Sequence, residues 1–447
     1  MSKQQRLVIV VSVLASFVAF LDGSVVNVAL PAISRSLGGG LSIQQWIVDA
    51  YLITLGALIL LAGSLSDLFG RKRILLLGLV GFGVTSLLCA LAPTGGFLIM
   101  ARGLQGVAGA LLVPSSLALI ISTFSGTAQG KAIGTWTAWT GIAFVIGPLL
   151  GGFLVDAASW RWIFAINLVP IAVTLWLLRL IETAKRSGDK VRVDTWGALW
   201  CVLGLGGSVF ALIEQPRYGW GDARITIPLL VGIALLGVFI AHEARSRRPM
   251  LPLSLFKVRN FSVGNVATAA IYGGLSIATF LIVIFLQQVG GYSAIKAGFA
   301  LLPVTIIMFL LSPRFGALVG TYGPRIFMSV GPLIGGIGFL LMLRVQVPVA
   351  YLSTLLPGVL LFALGLSMTV APLTTAVLGD VAGANAGVAS AVNNAIARIA
   401  GLVTIALVGV ITGPHLAVAG FHRAIGVTAL LVMAGGVVSA IGIRRSA

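Results

Sequence analysis

Fourteen apolar runs alternate with short polar segments along this 447-residue chain. Their limits are 7–30, 45–66, 74–92, 97–121, 131–155, 162–181, 195–214, 225–242, 262–288, 297–319, 326–343, 350–377, 385–411 and 423–443. A helix of about twenty apolar residues crosses a bilayer. The pattern therefore predicts an all-α polytopic membrane protein with fourteen transmembrane helices. Gly and Pro inside the runs do not argue against it, because spanning helices tolerate both. The first run follows the basic segment MSKQQR, as a leader peptide would. It continues to Leu30, carries Asp22 and has no clear small-residue cleavage point, so it reads as a spanning helix.

The polar segments give an orientation. With the N-terminus inside, inner segments hold 19 Lys and Arg and outer segments hold 7. Basic residues gather on the cytoplasmic side, so both termini are expected there. The two longest inner linkers, Glu182 to Asp194 and His242 to Asn260, bracket the seventh and eighth runs. The expected organisation is a six-helix bundle over 1–182, an inserted helix pair with its linkers over 183–260, and a second six-helix bundle over 261–447.

One linker is not generic. GSLSDLFGRKR, Gly63 to Arg73, follows the second run. A degraded copy, FGALVGTYGPR, follows the tenth. Gly316 falls where Gly63 does, Gly323 where Gly70 does and Arg325 where Lys72 does, while Gly320 replaces Asp67. A positive-inside loop explains the basic residues but not the Gly and Asp spacing. One motif at two equivalent places implies two six-helix pseudo-repeats, the plan of secondary transporters. Gly63, Asp67, Gly70, Arg71, Lys72 and Arg73 resemble the loop between helices 2 and 3 of major facilitator superfamily transporters. The resemblance implies a latch whose charge pairs break when two bundles rock.

Composition narrows the functions. Residues are 58% hydrophobic and 9% charged, against about 25% charged in a soluble domain. The net charge of +18 would suggest nucleic acid in a soluble protein, but here it follows from the positive-inside loops, so no nucleic-acid partner is expected. The lone Cys89 and Cys201 sit in separate apolar runs, and His242, His415 and His422 lie at or beyond helix ends. No ligand spacing is present, so neither a metal nor a cofactor is expected. No GxxxxGK[ST] loop occurs, and no clustered His, Cys or acid pair supports an enzyme.

The few charges inside the spans are the candidates for function. Asp22, in FLDGSVVNVALP, lies deep in the first run. A mid-membrane acid costs roughly 2.5–3.5 kcal/mol and usually faces a cavity, although a packing carboxylate satisfied by neighbours is the other reading. Arg102 lies at a similar depth in the fourth run, or snorkels outward. Asp49, in WIVDAY, reads either as a third member or as an interfacial acid at the start of its helix. The fifth run carries Gly141, Gly147, Pro148, Gly151 and Gly152. Small residues let helices approach closely, and this run is either a plain packing helix or a specialised hinge. Asn27, Gln105, Trp136, Trp139 and Arg398 are candidates for lining a cavity.

Taken in order, FLDGSVVNVALP, QQWIVDAY, RGLQGVAGA, GPLLGG, SWRWIFAINLVP, RVDTWG and RPMLPLSLFKVRNF resemble segments of the fourteen-helix drug:proton antiporter branch of the major facilitator superfamily. The likeness covers nearly the whole chain. It implies export of amphipathic, often cationic, drugs or toxic compounds in exchange for protons, with Asp22, Arg102 and Asp49 in proton coupling. The family fills the Asp49 position variably. The alternative is an exporter dedicated to one self-made antibiotic or metabolite. The resemblance also implies a multi-pass protein of the cell (inner) membrane. The expected partners are a small molecule, protons and the bilayer, and a monomer is expected.

Overall fold

The computed structural model describes residues 1–181, 194–246, 249–381, 386–413 and 415–444. Among the described residues, fourteen helices are long and apolar enough to cross a membrane. They are α1 Lys3–Leu37, α2 Gly40–Phe69, α3 Arg71–Ala90, α4 Gly95–Thr123, α5 Gly126–Ala157, α6 Trp162–Arg179 and α7 Thr195–Tyr218. Then follow α8 Ala223–Arg245, α9 Arg259–Gln288, α10 Ala294–Tyr322, α11 Pro324–Arg344, α12 Tyr351–Gly379, α13 Gly387–Thr412 and α14 Val418–Gly442. No strand occurs among the described residues. The all-α fourteen-helix fold is as expected.

Several helices outrun their apolar windows. The first apolar run starts at residue 7, yet α1 starts at Lys3. Ser2 caps it: the Gln5 amide N–H donates to Ser2 Oγ at 3.1 Å, and the Ser2 amide donates to Gln5 Oε1 at 2.9 Å. Such a capping box satisfies backbone donors that the apolar pattern cannot reveal. The same error mattered at α2. It starts at Gly40, so Asp49 is not at the helix start but about 14 Å along it at 1.5 Å per residue.

Chain contacts divide the protein into two compact units, Met1–Val202 and Leu203–Ala447. In the first unit α2 and α3 pack on α4, and α1 packs on α4, α5 and α6. In the second, α10 and α11 pack on α12, and α9 packs on α12, α13 and α14. Each pair recurs eight helices later in the chain. The inserted helices meet through small residues: a Cβ on Gly207 would lie 2.8 Å from Pro228 O, and one on Gly232 would lie 2.6 Å from Ser208 N.

The two units close the helix ends that carry the loop motif alike. In the first, Gln4 Nε2 donates to Leu180 O at 3.3 Å and Lys72 Nζ to Ile181 O at 2.5 Å. In the second, Arg259 Nε donates to Gly442 O and Arg325 Nε to Ala440 O, each at 2.9 Å. Each bond reaches a carbonyl that the helix end itself leaves open. Arg325 thus does for α14 what Lys72 does for α6, in the register read from the sequence. Gly70 and Gly323, at φ +94° and +78°, end α2 and α10 in a conformation that glycine adopts freely.

Candidate functional site

The first unit buries a polar ring around Asp22. Local sequence explains each member. On α4, Arg102 and Gln105 are three residues apart and so share a face. Ser86 and Cys89 do the same on α3. On α6 the helix breaks between Ala165 and Leu168, because Pro170 has no N–H to give to Ile166 O. Asn167 stands in that break. These faces meet α1 at Asp22.

Arg102 Nη1 donates to Asp22 Oδ2 at 2.6 Å. Gln105 Nε2 donates to Asp22 Oδ1 at 3.2 Å, and Asn167 Nδ2 to the same oxygen at 3.0 Å. Both amides also donate to Ser86 Oγ, at 2.9 Å and 3.3 Å. Gln105 Oε1 accepts from Arg102 Nη1 at 2.6 Å and from Cys89 Sγ at 3.6 Å. Arg102 Nε donates to Ile47 O at 3.1 Å, and the guanidinium lies 4.3 Å from the Tyr51 ring centroid. Asp22, Gln105 and Asn167 are 0% exposed and Arg102 is 1% exposed.

A buried ion pair loses hydration on both sides and holds only if further hydrogen bonds compensate. Here the carboxylate has three donors, and the guanidinium has two further acceptors and an aromatic face. In a low dielectric, moving the two charges apart changes their energy far more than it would in water. The energy of the ring is therefore sensitive to small displacements of α1 against α4.

The α5 motif touches α1 two residues from this carboxylate. Ser24 Oγ donates to Ala143 O at 3.1 Å. A Cβ on Gly147 would lie 1.9 Å from Ser24 Oγ, and one on Gly151 would lie 2.6 Å from Val25 Cγ2. Pro148 is inside the helix and Gly152 is buried. A Cβ on Gly141 would meet nothing within 4 Å.

The other expected residues are placed differently. Gln105, read as lining a cavity, is sealed in the ring. Asp49 is fully buried rather than interfacial, and neither carboxylate oxygen has a hydrogen-bond partner. Trp136 is half-buried and donates from Nε1 to Ser16 Oγ at 3.0 Å; Ser16 in turn meets Ser116 at 2.6 Å. Trp139 is 55% exposed, and Asn27 and Arg398 are half-buried. In the loop motif, Gly63 has no neighbour within 4 Å of a Cβ position, and Arg71 and Arg73 open α3 beside Lys72. The Asp67 side chain, the acid of that motif, lies outside the described residues. Asn167, Ser86 and Tyr51 were missed from sequence. SWRWIFAINLVP held the signal, since an Asn three residues before a Pro in a span is a polar group at a helix break.

Known proteins place this geometry in a family. The model of the Major Facilitator Superfamily matches residues 12–405. The chain is 35% identical to the puromycin resistance protein pur8 of Streptomyces alboniger, over 90% of this chain and 81% of that protein. It is 34% identical to the multidrug resistance protein Stp of Mycobacterium tuberculosis, over 92% and 76%. It is 33% identical to the methylenomycin A resistance protein of Bacillus subtilis, over 90% and 87%. Among solved structures, a D-xylose-proton symporter aligns with TM-score 0.71 at 15% identity, over 98% of both chains, a likeness of fold.

Proposed function

Because this chain belongs to the major facilitator superfamily of membrane transporters, we propose that it exports amphipathic, cationic drugs or toxic compounds in exchange for protons. The observation that carries this reading is the sealed Asp22–Arg102 pair at 2.6 Å. Asp22 takes a proton facing out, as substrate leaves, and yields it facing in, as substrate binds. Arg102 is the charge against which that exchange is set. For a neutral substrate one charge enters per cycle, worth about 2.3 kcal/mol per 100 mV, or about fortyfold accumulation at 1.4 kcal/mol per decade; for a monovalent cation the one-for-one exchange moves no net charge and the pH difference drives it. No covalent chemistry is involved, and the protein is not an enzyme in this reading.

The alternative is an exporter dedicated to one self-made antibiotic or metabolite. The names of two relatives, for puromycin and for methylenomycin A, favour it. An efflux panel of cations, zwitterions and neutral compounds, in cells stripped of their own exporters, decides. Export of several unrelated cations supports the first reading. Export of a single compound supports the second.

The remaining assignments complete the proposal. The chain works as a monomer in a bacterial cell membrane, with bundles 1–182 and 261–447 and the inserted pair 183–260 between them. Both termini are cytoplasmic. Single cysteines at Ala184 and Gly219 should then label from opposite faces; labelling from one face would overturn the topology. Cys89 and Cys201 are buried, so their background should be low.

Gly63, Asp67, Gly70, Arg71, Lys72 and Arg73 act as the latch at the cytoplasmic surface. Asp67→Asn should slow transport about tenfold, the effect of losing one charged hydrogen bond, while substrate binding stays within a few fold. Collapse of binding with a normal rate for bound substrate would place Asp67 in the substrate site instead. Gly141, Gly147, Pro148, Gly151 and Gly152 form the hinge, and Asn27, Trp136, Trp139 and Arg398 line the substrate path. Asp49 is a second titrating acid, and Asp49→Asn has a milder effect than loss of Asp22.

A further inference from the structure

We propose that Asn167 is a two-way amide switch that follows the proton on Asp22. The inference rests on the reading of Asp22 as the proton carrier and adds a positioning residue to it. Among the described residues, the side chains of the ring all point donors at the carboxylate: Arg102, Gln105 and Asn167. That suits a charged Asp22. A protonated Asp22 carries an O–H and needs an acceptor instead. Gln105 Oε1 is already taken by Arg102 and Cys89. Ser86 Oγ already accepts from both amides. Asn167 Oδ1 has no partner, although the residue is 0% exposed.

An unpartnered buried acceptor is uncommon and asks for an explanation. The amide supplies one. Its two ends have nearly the same shape but opposite hydrogen-bond character. A half-turn about the last side-chain bond replaces Nδ2 by Oδ1 without repacking. Asn167 then donates to the carboxylate and accepts from the carboxylic acid. It offers a partner to both states of Asp22, Nδ2 to the carboxylate and Oδ1 to the acid, so the carboxyl group itself is left without one in neither. The titratable and charged groups facing Asp22 are Arg102 from α4 and Cys89 from α3, with Tyr51 of α2 on Arg102. Arg102 has no acceptor and Cys89 turns its S–H to Gln105 Oε1, so the task falls to Asn167, whose amide oxygen is buried and unpartnered.

The test is the pH-difference infrared spectrum of the reconstituted full chain, which resolves the C=O stretch of a protonated carboxyl. The Asp22 band is the one that Asp22→Asn removes. In Asn167→Leu that band should move to higher frequency, because the acid loses its acceptor. Gradient-driven efflux should slow about tenfold, the effect of one lost hydrogen bond to a charged group. Asn167→Ser, too short to reach, should shift the band likewise and serves if the Leu variant does not fold. An Asp22 band at the wild-type frequency in either folded variant overturns the switch while leaving Asp22 as carrier. If Asp22→Asn removes no pH-dependent carboxyl band, the carrier reading itself falls.

Discussion

Asp22→Asn is expected to reduce export driven by a pH gradient to the level of empty proteoliposomes. The amide keeps the size of the carboxyl group but carries no titrating proton. The protein should still fold. Removing one partner of a buried ion pair costs 3–5 kcal/mol when the other charge is left alone. Arg102 would not be alone. It keeps Gln105 Oε1 at 2.6 Å, Ile47 O at 3.1 Å and the Tyr51 ring at 4.3 Å, and the new amide offers it an oxygen. The loss should therefore be of coupling, with substrate binding still measurable. Wild-type gradient-driven export by Asp22→Asn would shift the role to Asp49, the other fully buried acid with no partner.

The second large effect is steric. Gly147→Leu and Gly151→Leu are each expected to cut transport to below about a tenth and to destabilise the protein by several kcal/mol. Overpacking costs about 1–3 kcal/mol where neighbours can adjust. Here the neighbours include the α1 backbone: Val25 N lies 3.4 Å from a Cβ on Gly147, and Val25 O lies 3.0 Å from one on Gly151. α5 would have to part from α1 within one turn of Asp22. Gly141→Leu in the same motif meets open space and should cause a much smaller loss. Transport and thermal unfolding of the three variants, measured together, check this. A loss at Gly141 equal to that at Gly147 would contradict a packing origin.

The fold was legible because membrane spans state themselves: each needs about twenty apolar residues whatever it packs against. Their ends were less legible. Ser2 and Gln5 extend α1 through a cap, which apolar periodicity does not register. The same blindness put Asp49 near a surface when α2 carries it about two and a half turns from its start. The charged half of the site was legible for a related reason. A charge in a span is expensive, so Asp22 and Arg102 stood out, and α1 and α4 bring them to 2.6 Å. Its neutral half was not. Gln105, Asn167 and Ser86 carry no charge and look like ordinary residues of small-residue or aromatic segments. Only the folded α3, α4 and α6 faces turn them toward one carboxylate. The copied loop motif was read in the right register, yet the bond from Lys72 to the end of α6 could not be foreseen from the spacing.

The central claim is that substrate and proton compete through Asp22. The direct measurement is proton release on substrate binding, followed with a pH dye in weakly buffered detergent solution. Tetraphenylphosphonium, an amphipathic cation, serves as the probe. The account predicts about one proton released per chain at saturation, and none from Asp22→Asn even where the cation still binds. Release of the same amount by Asp22→Asn, or none by the wild-type chain despite binding, would contradict it.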